Sequence, residues 1–260
     1  MNEDPRLREA LQPCASPSGS VAADIGNGVY AALDLGTNNC RLLIASPAGD
    51  GFRVMDSFSR IIRLGEGISA TGSISEAAID RAIAALSICS DKIRYRKAKR
   101  LRLIATEACR AAANADSFRA RVAAETGIRL EVIDRETEAT LAVIGCSPLL
   151  DVRGRGAILF DIGGGSTELV RIERDPEAQD APPRIKAWMS IPLGVVTLAE
   201  RFDGRDVTAE TYARMIREVA QYVAPFAAAH GANLRDMHML GTSGTVTTLA
   251  GVHLHLSRYD

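Results

Sequence analysis

Apolar positions along the chain gather either in short runs closed by glycine or in stripes at helical spacing, and two of the runs share one plan. Residues 157–160, Ala-Ile-Leu-Phe, have the length and composition of a buried strand. The run ends in Asp161, crosses Gly163, Gly164 and Gly165, and resumes over 167–172. There Thr167, Leu169 and Arg171 fall on one face and Ser166, Glu168 and Val170 on the other. The pattern predicts a strand, a glycine turn and a second strand: a hairpin with a carboxylate at its mouth. Residues 29–46 repeat it, with an apolar strand, Asp34, a turn through Gly36, Thr37 and Asn38, and a second apolar strand. Two such copies indicate an internal duplication, each founding one half of the molecule.

The remaining pattern fills in around these hairpins. Residues 52–62 add a third strand to the first sheet, and 63–67, Arg-Leu-Gly-Glu-Gly, form a glycine-punctuated loop. Ser73 followed by Glu76 resembles a capping box, and Ile79, Ile83, Leu86 and Ile93 then recur at helical spacing, predicting a helix to Tyr95. A strand over 101–105 leads into a helix opening at Thr106. Residues 118–126 are helical and stop at Gly127, 128–133 form a strand, and 135–144 a helix with Glu136 and Glu138 in its first turn. Residues 149–156 cross between the halves. That sets a first domain at 28–150 and a second at 151–260, behind a flexible leader over 1–27. The second half continues with a polar loop over 174–183, a strand over 184–191 and a short helix from Gly194 to Phe202. A longer helix follows, capped by Thr208, with Tyr212, Met215, Val219, Val223 and Phe226 on one stripe. A strand over 237–240 then delivers Gly241-Thr-Ser-Gly-Thr245 ahead of a last helix.

Composition narrows the class. At 260 residues and 47% hydrophobic with few aromatics, the chain suits a soluble α/β protein of about two domains. A formal net charge of −1 advertises neither nucleic acid nor a membrane as partner. The five cysteines are scattered, odd in number and never spaced as metal pairs, which fits reduced, mostly buried thiols in a cytoplasmic protein. Residues 1–27 lack the apolar segment of a signal peptide, and no run is long enough to span a bilayer. The basic run over 91–102, DKIRYRKAKRLR, reads as a solvated helix end complementing the dipole, or as a landing strip for a polyanion. The four histidines all lie late, without metal spacing.

Chemistry concentrates at the glycine turns. Three consecutive glycines let backbone N–H groups converge without Cβ obstruction, which suits a phosphate oxygen. Asp161 beside such a nest calls for a cation between the two, and Mg²⁺ held by carboxylates and substrate phosphates is the usual arrangement. Neither turn is a P-loop or a dinucleotide fingerprint, because no Lys-Ser/Thr follows and a strand comes next. A third Gly/Thr/Ser loop, at 241–245, ends another apolar strand, so several strand ends meet at one cleft, where open α/β sheets bind ligands.

DLGTNNCRLL, ATEACRAAAN, the EAxL pattern around Glu138, FDIGGGSTEL and LGTSGT, in this order and spacing, resemble the exopolyphosphatase/guanosine pentaphosphate phosphohydrolase (Ppx/GppA) family of the actin-like ATPase superfamily. The resemblance covers residues 29–260. It implies an actin-like (ribonuclease H-like) α/β fold of two domains with duplicated mixed sheets and flanking helices. It also implies an Mg²⁺-dependent hydrolase, with Mn²⁺ as a substitute ion, that removes terminal orthophosphate from inorganic polyphosphate or guanosine pentaphosphate. By resemblance Glu138 is the general base, and Asp34, Asp161 and Glu168 are the metal carboxylates. Phosphate would be held by Thr37, Asn38, Asn39, Arg41, Arg110, Gly163, Gly164, Gly165, Ser166, Gly241, Thr242, Ser243 and Gly244. A homodimer is compatible with it; nucleic acid and membrane are not expected partners. Two departures stand out: Thr37 replaces the family's usual Ser, and relatives continue well past the Gly241 segment, which suggests an incomplete second domain. Two rivals remain from other classes: a module that senses guanosine tetra- or pentaphosphate without turnover, and an actin-like kinase or chaperone-type ATPase.

Overall fold

A computed structural model of the chain describes residues 28–49, 51–151, 153–174 and 183–257. The leader expected over 1–27 and most of the loop expected over 174–183 lie outside the described residues. Two compact units divide the chain between Asp134 and Arg135.

The first unit holds a five-stranded sheet in the order β3-β2-β1-β4-β5. Its strands are β1 (Tyr30–Leu35), β2 (Asn39–Ala48), β3 (Gly51–Ile61), β4 (Arg100–Ala105) and β5 (Glu131–Val132). β1–β2 and β2–β3 are antiparallel hairpins, whereas β4 lies parallel to β1 and β5 parallel to β4. Alternation aims Ala31, Leu33, Leu35, Cys40, Leu42 and Ile44 at one face, all buried. After a one-turn α1 (Ile68–Thr71), α2 (Glu76–Tyr95) covers that face with Ala78, Ile79, Ala82, Ile83, Leu86 and Cys89. The helix begins later than the Ser73/Glu76 pairing suggested. Ser75 is the N-cap, its Oγ accepting from the Ala78 N–H at 3.3 Å, and Glu76 is the first helical residue. α3 (Glu107–Ala111) and α4 (Ala115–Thr126) follow, and Gly127 stops α4 at φ 74°. The apolar run over 128–133 contributes buried Ile128, Leu130 and Ile133 but only two strand residues, so its apolar character serves packing more than pairing.

Most of the basic run is tied down within this unit. Lys92 and Arg96 reach Asp56 on β3 at 2.6 and 3.0 Å, Arg94 pairs with Asp91, and Arg102 lies 3.6 Å from Glu131. Those ion pairs describe a stitched helix end better than a polyanion landing strip. The opposite face of the sheet carries an apolar depression of about 400 Å³ lined by Tyr30, Leu43, Phe52 and Leu101.

The second unit repeats the plan. Its sheet runs β8-β7-β6-β9, built from β6 (Gly156–Ile162), β7 (Thr167–Glu173), β8 (Arg184–Ile191) and β9 (Met237–Thr242). β6–β7 and β7–β8 are antiparallel and β9 lies parallel to β6, matching β1 to β4 strand for strand. This is the duplicated mixed-sheet architecture expected from the two hairpins. α5 (Arg135–Cys146) packs Ala139 and Val143 against the face that carries Val170 and Ile172. The helix that bears Glu138 therefore belongs to the second unit, and the division falls ahead of it rather than at 150/151. α6 (Val195–Phe202), α7 (Ala209–His230) and α8 (Ser243–His253) complete the unit, and none of the three buries a residue fully. Tyr212, Ile216, Leu249 and Val252 on them stay exposed. No helix among the described residues is long and apolar enough to cross a membrane.

Candidate active site

In the first unit, the β1–β2 hairpin closes through Gly36–Asn39, with the Gly36 N–H donating to the Asn39 carbonyl at 2.9 Å. Asp34 and Arg41 are register partners and so share a sheet face one step below the turn. The carbonyls of the turn are tied from behind. Thr37 O accepts from Gly65 N at 2.9 Å, and Asn38 O accepts from Ile62 N and Arg63 N at 2.8 and 3.0 Å. That following loop is itself anchored by Arg81 of α2, which donates to Ile62 O at 2.8 Å and pairs with Glu66 at 2.8 Å. Thr37 is buried, and its Oγ1 has no hydrogen-bond partner among the described residues. Buried hydroxyls are nearly always satisfied, so an orphan in such a turn points to a ligand oxygen as its partner.

β4 ends beside the same turn, because Leu35 and Ala105 are parallel register partners and Thr106 N donates to Leu35 O at 3.2 Å. The short α3 that follows carries Arg110. Its guanidinium is held by Glu107, at 2.9 Å from Nε and 2.7 Å from Nη2, and by the Ile133 carbonyl at 2.8 Å from Nη1. Arg110 thus sits at the expected strand end with its fork fixed by protein partners. Nothing in the sequence marked Glu107 for this orienting role.

The second unit presents the same hairpin with different chemistry. Gly163 N donates to Ser166 O at 3.0 Å to close the turn. The Gly163 carbonyl accepts from Val195 N at 3.0 Å and the Gly164 carbonyl from Val196 N at 2.9 Å. The orphan N–H groups of α6 are thereby used to hold the turn. No described residue accepts from the N–H groups of Gly164 and Gly165, which remain available to an anion.

Below the turn, register aligns four side chains across four strands: Ser190, Glu168, Asp161 and Thr242. Glu168 is only 2% exposed, and Ser190 Oγ donates to its Oε1 at 2.8 Å. The row therefore sets two carboxylates side by side on one sheet face. Ser190 is a further residue that sequence reading passed over. Cys146 at the end of α5 lies close to Thr242 and Asp161. Burial raises that thiol's pKa. Glu138, in the first turn of α5, is eight residues from Cys146, or roughly 12 Å along the axis.

The third expected loop is not a loop. β9 runs through Gly241 and Thr242 directly into α8, with Thr242 as N-cap and Ser243 at φ 76°. Gly241 stands opposite Phe160, and a Cβ there would come within 2.6 Å of the Phe160 ring. It lies inside the strand, where packing against Phe160 leaves no room for a side chain. Thr242 joins the carboxylate row, while Ser243 and Gly244 form the half-buried N-terminal turn of α8.

The thiols near these turns stay protonated. Pairing with Cys89, with sulfurs 3.9 Å apart, and burial push Cys40 far above its usual range. Burial pushes Cys109 up to about 11. Neither offers a thiolate nucleophile. Among the described residues no three His, Cys, Asp or Glu side chains form a metal cage.

Comparison with known proteins fits this picture. Residues 43–256 match the model of the Ppx/GppA phosphatase family. The chain is 33% identical to Exopolyphosphatase 2 of Mycobacterium tuberculosis over 247 residues, covering 88% of this chain and 72% of that protein. It is 30% identical to the guanosine-5'-triphosphate,3'-diphosphate pyrophosphatase of Photobacterium profundum, spanning 87% of this chain but only 44% of that one. Among solved structures, an exopolyphosphatase-like protein superposes with a TM-score of 0.77 at 28% identity, over 89% of this chain and 71% of that one. The Aquifex aeolicus Ppx/GppA protein gives 0.67 at 29% identity, over 90% and 72%. A PilM–PilN pilus biogenesis complex, at 0.52 and 13% identity, shares the fold alone.

Proposed function

Because this chain belongs to the Ppx/GppA phosphatase family, we propose that it is a hydrolase of phosphoanhydrides, releasing terminal orthophosphate from inorganic polyphosphate or guanosine pentaphosphate. The observation that carries the reading is the second hairpin: a glycine turn with N–H groups open to an anion, set directly above the Asp161–Glu168 pair. Two neighbouring carboxylates suit Mg²⁺, which keeps several waters and completes its shell with phosphate oxygens. Asp161 and Glu168 would hold the ion. Bound there, it would neutralise charge on the phosphate oxygens. Ser190 keeps the Glu168 carboxylate oriented from the far side of the row. The Gly164 and Gly165 N–H groups donate to oxygens of the terminal phosphate. The first unit, taken by itself, offers phosphate donors of its own in the orphaned Thr37 hydroxyl and Arg41. Glu138 accepts a proton from the attacking water at its carboxylate.

Phosphate release from tripolyphosphate and from guanosine pentaphosphate, in Mg²⁺ and in EDTA, tests the proposal. Wild type is expected to release orthophosphate from one or both only with the metal. Glu138→Gln should lower the rate by about 100-fold or more while binding persists, the usual weight of a general base. Undiminished turnover in that variant would remove Glu138 from its role. Calorimetric binding without any release would favour a sensor of the same fold.

A further inference from the structure

The two turns are held by the same device, and each device depends on a glycine that no turn contains. In the first unit the clamp is Gly65, whose N–H donates to Thr37 O at 2.9 Å. In the second it is Gly194, which opens α6 so that Val195 and Val196 reach the carbonyls of Gly163 and Gly164 at 3.0 and 2.9 Å. Neither glycine is there for backbone freedom. Gly194 sits at φ −124°, accessible to any residue, and Gly65 is not among the glycines with positive φ. Both are there for space. A Cβ at Gly65 would come within 2.2 Å of Thr37 Cγ2, and one at Gly194 within 2.4 Å of the Gly164 carbonyl carbon and 2.5 Å of Gly163 O.

We infer that Gly65 and Gly194 are positioning residues that fix the aim of the phosphate-facing N–H groups. A peptide unit has its carbonyl and its N–H on opposite sides, so a carbonyl pinned from behind turns the next residue's N–H forward. Thr37 O pinned by Gly65 orients the Asn38 N–H; Gly163 O and Gly164 O pinned by α6 orient the N–H groups of Gly164 and Gly165. The inference rests on the proposed reading of both turns as phosphate cradles. It adds that approach of the clamp segment to van der Waals contact is what shapes them, and that a single methyl group on either clamp would push it away.

The first clamp has a built-in control. The obstructing atom is a side-chain methyl, so Thr37→Ser deletes it and keeps the hydroxyl, leaving only contacts of 3.5 Å to Thr37 Cβ and O. Binding of tripolyphosphate and amide hydrogen exchange over 34–41 are measured for wild type, Gly65→Ala, Thr37→Ser and the double variant. Gly65→Ala is expected to weaken binding at least tenfold and to speed exchange of the turn amides. In the Thr37→Ser background the same change should weaken binding less than threefold relative to Thr37→Ser alone, with exchange restored. Gly194→Ala, whose obstruction is backbone, should speed exchange over 161–168 and gain nothing from Thr37→Ser. Equal penalties for Gly65→Ala in both backgrounds, unchanged exchange in either single variant, or a double variant that does not fold would each overturn the inference. If wild type binds no tripolyphosphate, the cradle reading fails, while the exchange comparison still decides whether the clamps set the turns.

Discussion

Replacing Glu168 by Gln separates stability from function in a way that only a metal-holding pair explains. Glu168 and Asp161 are register partners on neighbouring strands, which places their Cβ atoms about 5 Å apart. Two like charges at about 5 Å repel by roughly 3 kcal/mol at an effective dielectric of about 20. Gln keeps the shape and still accepts the Ser190 hydrogen bond through Oε1, so the loss is confined to charge. Without metal the variant should be the more stable protein. Relief of about 3 kcal/mol in a unit of this size corresponds to a rise in Tm on the order of 10 °C. With Mg²⁺ the gap between the two should close. An ion at about 100 times its Kd stabilises wild type by about 2.7 kcal/mol, and Glu168→Gln should gain little of that. Calorimetric scans of both proteins in EDTA and in a Mg²⁺ series read both quantities, alongside phosphate release, which the variant should lose. If Glu168→Gln melts below wild type in EDTA, Glu168 is a structural acceptor. If both proteins gain equally from Mg²⁺, the ion sits elsewhere.

Two further outcomes test the scaffold. The Asp56 carboxyl is held below its ordinary range first by Lys92 and then by Arg96, so its contribution to stability is complete above the unfolded pKa and is lost as pH falls through the folded one. The gap in urea midpoint between wild type and Asp56→Asn should therefore be full at neutral pH and close on acidification below about pH 4; a gap that persists there would assign it to packing. Phe118 is fully buried where α4 meets the first core, so Phe118→Ala should lower unfolding free energy by about 3–5 kcal/mol in urea titrations without changing Mg²⁺-dependent phosphate release by the folded protein.

Periodicity made both hairpins and the long α2 legible, because each buries one face of a regular element and the apolar spacing records which face. It even placed Glu168 with Val170, and the structure buries that face, carboxylate included. What local pattern could not carry is proximity through space. Gly65 and Gly194 are plain in the sequence as glycines, yet their reason lies in Thr37 and in the Gly163–Gly164 peptides, far away along the chain. Gly241 looked like a loop residue until Phe160 stood opposite it. The strand over 128–133 was predicted from apolar content, which reports burial but not a partner, and only Glu131 and Val132 found one. The boundary between units was drawn at a Gly/Arg/Asp segment, whereas the packing of α5 on the second sheet draws it earlier.

The paired hairpins also record how a copied scaffold diverges. Their backbones agree down to the hydrogen bond that closes each turn, and in each the residue seven places after the aspartate is its register partner. That partner is arginine in one copy and glutamate in the other. That difference, with the Gly-Thr-Asn-Asn turn of one set against the Gly-Gly-Gly-Ser turn of the other, makes two specialists of one plan. One arrives already balanced and can greet an anion unaided; the other must first recruit a positive ion, and so makes its half of the protein answerable to the metal content of its surroundings.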